Sequence, residues 1–310
     1  MKEEDDYLGN GFKNIKIKLA NDSDGEQNAT LVYRNANKES TKAILYVHGF
    51  IDYFFQTELA DHFNEWGYNF YAVDLRKYGR SLMPHQHPNF ISDIHEYFEE
   101  FDKSIDIIKS HNNSSIIMMG HSTGGLSTPL YAHHKNNIDG LILNSPFFAL
   151  NIPPFLNSLM PLVSAIGKKF PYMTMDSLTE HYPKSLHKDY KGEWDFKDEW
   201  KPIKNFPAYL GWIRAIRNAQ LELQNGLNIK CPTLVMYSDK SYKGKKWDDI
   251  IKISDGVLDV EHIKKYADVI GDKVTKIEIQ DGVHDLVLSK KDVRDNAYTN
   301  IKKWLSDNKL

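Results

Sequence analysis

The chain has 310 residues, enough to bury a large core as one elaborated α/β domain or as two smaller domains. Apolar residues make up 41% and charged residues 26%, a globular balance that excludes a disordered or fibrous protein. The net charge of -3 arises from 39 basic and 42 acidic side chains without a basic patch interleaved with aromatics, which argues against nucleic acid as a partner.

Cys231 is the only cysteine, so no internal disulfide framework or cysteine-based metal motif can form. Its place before Pro232 and an apolar strand reads as that of a structural thiol. The first residues, Met1-Lys-Glu-Glu-Asp-Asp6, are acidic where a secretory signal is basic and then apolar, so a cytoplasmic location is expected. The oiliest stretch, Ile152 to Gly167, is interrupted by Pro153, Pro154 and Pro161 and is too short to span a bilayer.

Residues 1–13 read as a solvated lead-in. Asn14 to Ala20 and Ala29 to Tyr33 flank the turn-rich Asn21-Asp-Ser-Asp-Gly25 and predict an antiparallel hairpin. Lys42 to Val47 is an apolar strand running into His48-Gly49-Phe50. Glu58 to Trp66 has a helical pattern, Tyr68 to Val73 is a buried strand, and Asp74-Leu-Arg-Lys-Tyr-Gly-Arg-Ser81 is a loop. Ile94, Phe98, Phe101, Ile105 and Ile108 recur at steps of four and three, drawing one apolar stripe along a helix. Ser115 to Met119 is the next strand. After Gly120-His-Ser-Thr-Gly124 a helix runs to about His134, with a bend or break expected at Pro129, which lacks a backbone donor. Gly140 to Asn144 completes an alternation that specifies a parallel sheet covered on both faces.

The alternation stops at Pro146. Residues 146–227 are rich in aromatics, prolines and polar side chains, and so long an interruption reads as an inserted lid rather than a loop. Strand character returns at Thr233 to Tyr237. After an irregular excursion from Lys240 to Ser254, Val260, Ile263, Ala267 and Ile270 mark a helix, Val274 to Ile279 a strand, and Val293 to Leu305 a closing helix. The division is thus a core of residues 1–145 and 228–310 and a cap of residues 146–227.

Gly120-His-Ser-Thr-Gly124 stands where a buried strand ends and a helix begins. A serine hydroxyl is a weak nucleophile unless held exposed beside a base, and a G-x-S-x-G turn between strand and helix does the holding. Thr123 then offers its backbone N–H to an oxyanion at a helix N-terminus. The plainer reading is a glycine-rich loop in which Ser122 caps the helix. A base and an orienting acid are needed, in the chain order serine, acid, histidine. Of the 13 histidines, His284 in Gly282-Val-His-Asp285 is the one that follows the last strand and precedes the last helix, at the same sheet edge as Ser122. His48 and His121 flank glycine turns at that edge but precede the acid candidates, and read as packing around the turn.

His48-Gly49-Phe50, the loop of residues 74–81, Gly120-His-Ser-Thr-Gly124 and Gly282-Val-His-Asp285 together resemble the α/β-hydrolase superfamily. The similarity is greatest to its branch of monoglyceride lipases, lysophospholipases and serine aminopeptidases, over about residues 30–306 outside the cap. The resemblance implies an α/β-hydrolase fold, with a mostly parallel central sheet, helices on both faces and an inserted cap. It implies Ser122 as nucleophile, His284 as base and the backbone N–H groups of Phe50 and Thr123 as the oxyanion hole. This chain lacks the longer glycine run of some lipase oxyanion loops, and Phe50 is bulky enough to line an acyl pocket as well.

Asp255, in Ser254-Asp-Gly-Val-Leu-Asp-Val260, resembles the family pattern of an aspartate shortly ahead of the next helix. Strand geometry alone points instead to Asp239, directly after Ser238. Asp259 reads as a helix N-cap, and Asp285, adjacent to the histidine, as structural.

The implied reaction is hydrolysis of a carboxylic ester through an acyl-enzyme, with no cofactor. The oily, irregular Phe147 to Ile166 suits an apolar tunnel, contact with lipid aggregates at a membrane surface, or simple coverage of the sheet. A lipid-like acyl ester such as a monoacylglycerol or lysophospholipid is the expected substrate, with His121, Phe147, Phe148 and Phe155 as substrate-binding candidates. Peptides are the alternative, with Glu180, Glu193, Asp195 or Glu199 holding an amino terminus. An acyltransferase on the same triad and a ligand-binding receptor that keeps the fold stand beside them. No metal is expected: His85-Gln-His87 and His133-His134 have no carboxylate or third histidine at ligand spacing, and there is no H-E-x-x-H.

Overall fold

The computed structural model describes residues 2–152, 158–244 and 246–310. Its N-terminal part is an antiparallel ribbon in which β1 (Glu3–Asp5) pairs with β2 (Lys13–Asp22), and β2 with β3 (Gly25–Arg34). Along β2, Ile15, Ile17 and Leu19 are buried while Lys16, Lys18 and Ala20 face water, the period of two that gives a strand one dry face.

The solvated lead-in expected for residues 1–13 is corrected here. β1 adds a strand to the sheet, and Phe12 enters the core. Asp6 is buried and accepts from Arg80 Nε at 2.7 Å and Nη2 at 2.9 Å. A run of acidic letters does not reveal that one of them is paired with an arginine 74 residues away.

Strand and helix then alternate through β4 (Lys42–Val47), α1 (Thr57–Glu65), β5 (Asn69–Asp74), α2 (Phe98–Ser110), β6 (Ser115–His121), α3 (Gly124–Lys135) and β7 (Gly140–Asn144). The stripe from Ile94 to Ile108 is divided: Ile94–Tyr97 is a 3-10 turn with a capping box between Asp93 and Glu96, and α2 starts after it. Pro129 lies inside α3 without ending it. Residues 146–227 contribute α4 (Met160–Lys169), β8 (Thr174–Met175), α5 (His181–Leu186), β9 (Ala208–Tyr209) and α6 (Leu210–Gln224). β8 and β9 pair antiparallel, and Gly167 lets α4 approach the backbone at Leu210 so closely that a Cβ there would lie 2.4 Å from its carbonyl oxygen. β10 (Thr233–Ser238), α7 (Val260–Tyr266), β11 (Val274–Ile279) and α8 (Lys291–Asp307) complete the chain.

The nine-stranded sheet has the order β1-β2-β3-β5-β4-β6-β7-β10-β11 and is parallel from β5 to β11. Its central strands are apolar throughout because both faces are covered. Ala43, Leu45 and Val47 face one core layer with Phe101, Leu130 and Ile216, while Ile44 and Tyr46 face the other with Phe63, Ile301 and Trp304. β6 lies in the middle, so whatever follows its carboxyl end has strands on both sides and sits where such sheets place their ligands.

Candidate active site

Ser122 follows β6 directly, with a left-handed φ of 53°. The tight turn explains its glycines: a Cβ on Gly120 would lie 2.4 Å from the Gly124 carbonyl oxygen, and one on Gly124 would lie 2.3 Å from the Val47 carbonyl oxygen. The turn is pinned to the neighbouring strand by the Ser122 amide, which donates to the Asn144 carbonyl at 3.1 Å.

The Ser122 hydroxyl lies 3.0 Å from His284 Nε2, and His284 Nδ1 lies 2.9 Å from Asp255 Oδ2. The other Asp255 oxygen accepts the amides of Val257 and Leu258 at 2.8 Å and 2.7 Å, which aims the carboxylate at the ring. Asp255 reaches this place because the chain leaves β10, runs out and returns. Its amide donates to the Lys240 carbonyl at 2.9 Å, and its carbonyl accepts from the Tyr242 amide at 2.7 Å. All three side chains are buried, Asp255 completely.

Asp239 is not brought to the histidine. It accepts from the Asp281 amide at 2.8 Å and from Gln280 Nε2 at 3.0 Å, beyond the end of β11. Asp259 caps α7 by accepting from the Glu261 amide at 3.2 Å. Asp285 points away from the imidazole and accepts from Asn144 Nδ2 at 2.7 Å and Gln56 Nε2 at 3.2 Å, fastening the histidine loop to the end of β7.

A cavity of about 420 Å³ opens over Ser122. Phe50, Thr123, His121 and Phe147 all line it, and Gly49 sits so close to the serine that a Cβ there would lie 3.0 Å from Ser122 Cβ. Phe148 does not belong with them. Its side chain is buried in the main core, because its carbonyl is held at 2.7 Å by Gln224 of α6 and turns the residue inward. Phe155 lies outside the described residues.

His48 and His121 are absorbed by the turns they flank. The Leu75 amide donates to His48 Nε2 at 3.1 Å, and burial pushes the His48 pKa down. His121 Nδ1 lies 3.1 Å from the Asn144 carbonyl, with its ring 4.8 Å from that of His284. Burial also pushes the His121 pKa down, which keeps a second positive charge away from His284.

Three features were not legible in sequence. Ile51 has a φ of 51°, costly for a β-branched residue, at the turn after Gly49-Phe50. Asp52 is buried at the cavity wall, and its Oδ1 accepts from Lys201 Nζ at 2.7 Å. Burial opposes its charge, but the ammonium of Lys201 holds its pKa below the usual carboxylate value. Tyr182 accepts the Asp285 amide at 2.9 Å and presents its ring edge to His284. Asp52, His121 and Asp285 offer ligand atoms within 4.8 Å of one another, but the Lys201 ammonium already supplies positive charge there.

The strand order, the serine turn behind the central β6 and the histidine behind β11 define the molecule as an α/β-hydrolase. Residues 38–243 match the family described as serine aminopeptidase, S33. The chain belongs to that hydrolase family, as its motifs suggested. Similar solved structures include a soluble variant of monoglyceride lipase from Saccharomyces cerevisiae in complex with a substrate analog, at 18% identity and TM-score 0.67, covering 95% of this chain and 97% of that one. The monoacylglycerol lipase of Paleococcus ferrophilus matches at 16% identity and TM-score 0.65, covering 90% and 99%. A thermostable carboxyl esterase from Bacillus coagulans, in complex with glycerol, matches at 14% identity and TM-score 0.66, covering 96% and 99%. These similarities show a shared fold. No curated protein matches the chain in sequence. Among the described residues, no helix is long and apolar enough to cross a membrane.

Proposed function

We propose that the protein hydrolyses carboxylic esters of apolar acyl chains through a Ser122–His284–Asp255 triad. The observation that carries this reading is the unbroken chain of 3.0 Å and 2.9 Å contacts from hydroxyl to carboxylate at the base of the cavity. His284 Nε2 takes the serine proton as Oγ attacks the acyl carbon, and Asp255 holds the imidazole with Nδ1–H toward it and stabilises the imidazolium. The oxyanion develops beside the amides of Thr123 and Phe50, and the protonated His284 then gives its proton to the departing alcohol. Water activated by the same histidine releases the acid and restores Ser122.

The cavity supports an acyl ester over a peptide, since Leu150, Ile152, Met160, Val163, Trp212 and Ile213 give it an oily wall. Residues 146–227 act as a cap in this reading. Leu159, Leu162, Phe170, Met173 and Met175 of this segment are all exposed, and apolar side chains in such number suit contact with lipid aggregates. Glu193, one of the carboxylates considered for an amino terminus, is instead paired with Arg294, and the cavity lining includes none of Glu180, Glu193, Asp195 or Glu199.

A chromogenic ester series of increasing acyl length, run beside aminoacyl anilides, tests the proposal. Ester turnover should exceed anilide turnover, rise with chain length and fall on the order of a millionfold in Ser122→Ala or His284→Ala. Asp255→Ala should cost about 10⁴-fold and Asp239→Ala almost nothing. Turnover that survives Ser122→Ala, or that collapses in Asp239→Ala while Asp255→Ala stays active, would overturn the assignment.

A further inference from the structure

Three side chains that the proposed reaction does not use meet on the surface where α6 crosses the core helices. His95 comes from the 3-10 turn ahead of α2, His134 from the last turn of α3 and Glu222 from the last turn of α6. Glu222 Oε1 lies 2.7 Å from His134 Nε2, and Glu222 Oε2 lies 3.2 Å from His95 Nε2. One ligand atom from each of the three falls within 4.8 Å of the other two. All three side chains are only partly covered, so solvent can reach the point on which they converge.

His95 Nδ1 lies 2.6 Å from Asp93 Oδ1, which leaves its Nε2 turned toward Glu222. A carboxylate behind an imidazole fixes its tautomer and orientation and makes the outward nitrogen a better ligand. The donor set of two imidazole nitrogens and one carboxylate oxygen, with an open side for water, is one that zinc-like ions take. Around a tetrahedral ion with bonds of about 2.0–2.1 Å, neighbouring ligand atoms stand about 3.3 Å apart; the 3.2 Å contact of His95 matches that spacing, and the 2.7 Å contact of His134 is a hydrogen bond that the ion would replace. Asp93 and Glu222 carry two negative charges, with Arg214 of α6 acting on Asp93 as the opposing charge, so neutral histidines leave the cluster net negative.

We infer that His95, His134 and Glu222 bind a divalent transition-metal ion of the zinc type, with Asp93 orienting His95. The ion ties α6, which gives Trp212 and Ile213 to the cavity wall, to the turn before α2 and the end of α3. Its role is to hold the cap helix against the core, apart from the chemistry at Ser122.

The test uses the full chain, stripped with a chelator and titrated with Zn²⁺ by calorimetry, with thermal unfolding and the visible absorption of Co²⁺ as further readouts. The expected result is one saturable ion per chain, a raised unfolding temperature and the absorption of a tetrahedral Co²⁺ centre. His134→Ala and Glu222→Gln, each with wild-type circular dichroism, should abolish saturable binding. Asp93→Asn should weaken it roughly 10–100-fold. Saturable binding that persists in His134→Ala and Glu222→Gln, or none in the wild type, overturns the proposal.

Discussion

Ser122 shows how a residue's task is written into its backbone. A non-glycine side chain at a φ of 53° costs on the order of 1–3 kcal/mol, and Ile51 and Ser145 near the same site have φ values of 51° and 46°. The glycines of the serine turn were legible in sequence because a sharp strand-to-helix turn calls for them: a Cβ at Gly120 would strike the Gly124 carbonyl within the turn itself, although only the structure shows that one at Gly124 would strike Val47. Ile51 was not, because its β-branched side chain argues against the conformation that the surrounding contacts impose. The strain is measurable by comparing Ser122→Gly with Ser122→Ala. Both lack the hydroxyl, so their difference isolates the backbone, and urea denaturation should find the glycine variant more stable by about 1 kcal/mol. Equal stabilities would mean that the turn holds no strain.

At the scale of the element, the loop of residues 74–81 is a clamp on the segment that carries Phe50. Asp74 Oδ1 accepts the Phe54 amide at 2.9 Å, and Arg80 Nη1 donates to the Phe54 carbonyl at 3.0 Å and to Asp74 Oδ2 at 2.7 Å. Arg80 also holds Asp6, so one guanidinium joins the N-terminal segment, the β5 end and the loop after Gly49. The motif was visible in the sequence but its purpose was not, since every partner except Asp74 is remote in the chain. Removing one partner of a buried pair strands the others. Arg80→Ala should therefore cost about 3–5 kcal/mol in chemical denaturation. A loss below about 1 kcal/mol, the ordinary value of an exposed pair, would show that water replaces the guanidinium.

Across the whole molecule, the segment of residues 146–227 reaches the opening hairpin. Tyr172 donates to Ser23 Oγ at 2.6 Å and stacks on His87 at 4.0 Å, while Lys77, fully buried, lies 2.7 Å from Asp22 and 2.8 Å from Asp24. Burial works against the charge of Asp24, but Lys77 and His87 outweigh it and hold its pKa down at about 2, against an ordinary value of 3.8. A depressed carboxylate favours the fold in its ionised form. Its contribution is complete above the ordinary value and drains away as the pH falls from 3.8 toward about 2. The unfolding temperature of the wild type should drop more steeply across that window than that of Asp24→Asn. Parallel curves would remove Asp24 from the account of acid stability.

By itself the sequence determined the strand–helix alternation, the serine turn at the end of β6 and the histidine behind β11. Each of these depends on near neighbours: apolar periodicity, missing side chains, the order of elements. Only the tertiary structure decided which carboxylate faces His284, that Asp6 is paired with Arg80, that Phe148 packs into the core, and that His134 lies beside His95 and Glu222. The physical reason is shared. Such contacts depend on where an excursion such as Lys240 to Ser254 returns and on which way a side chain then points, and neither is encoded within a few residues of the group concerned.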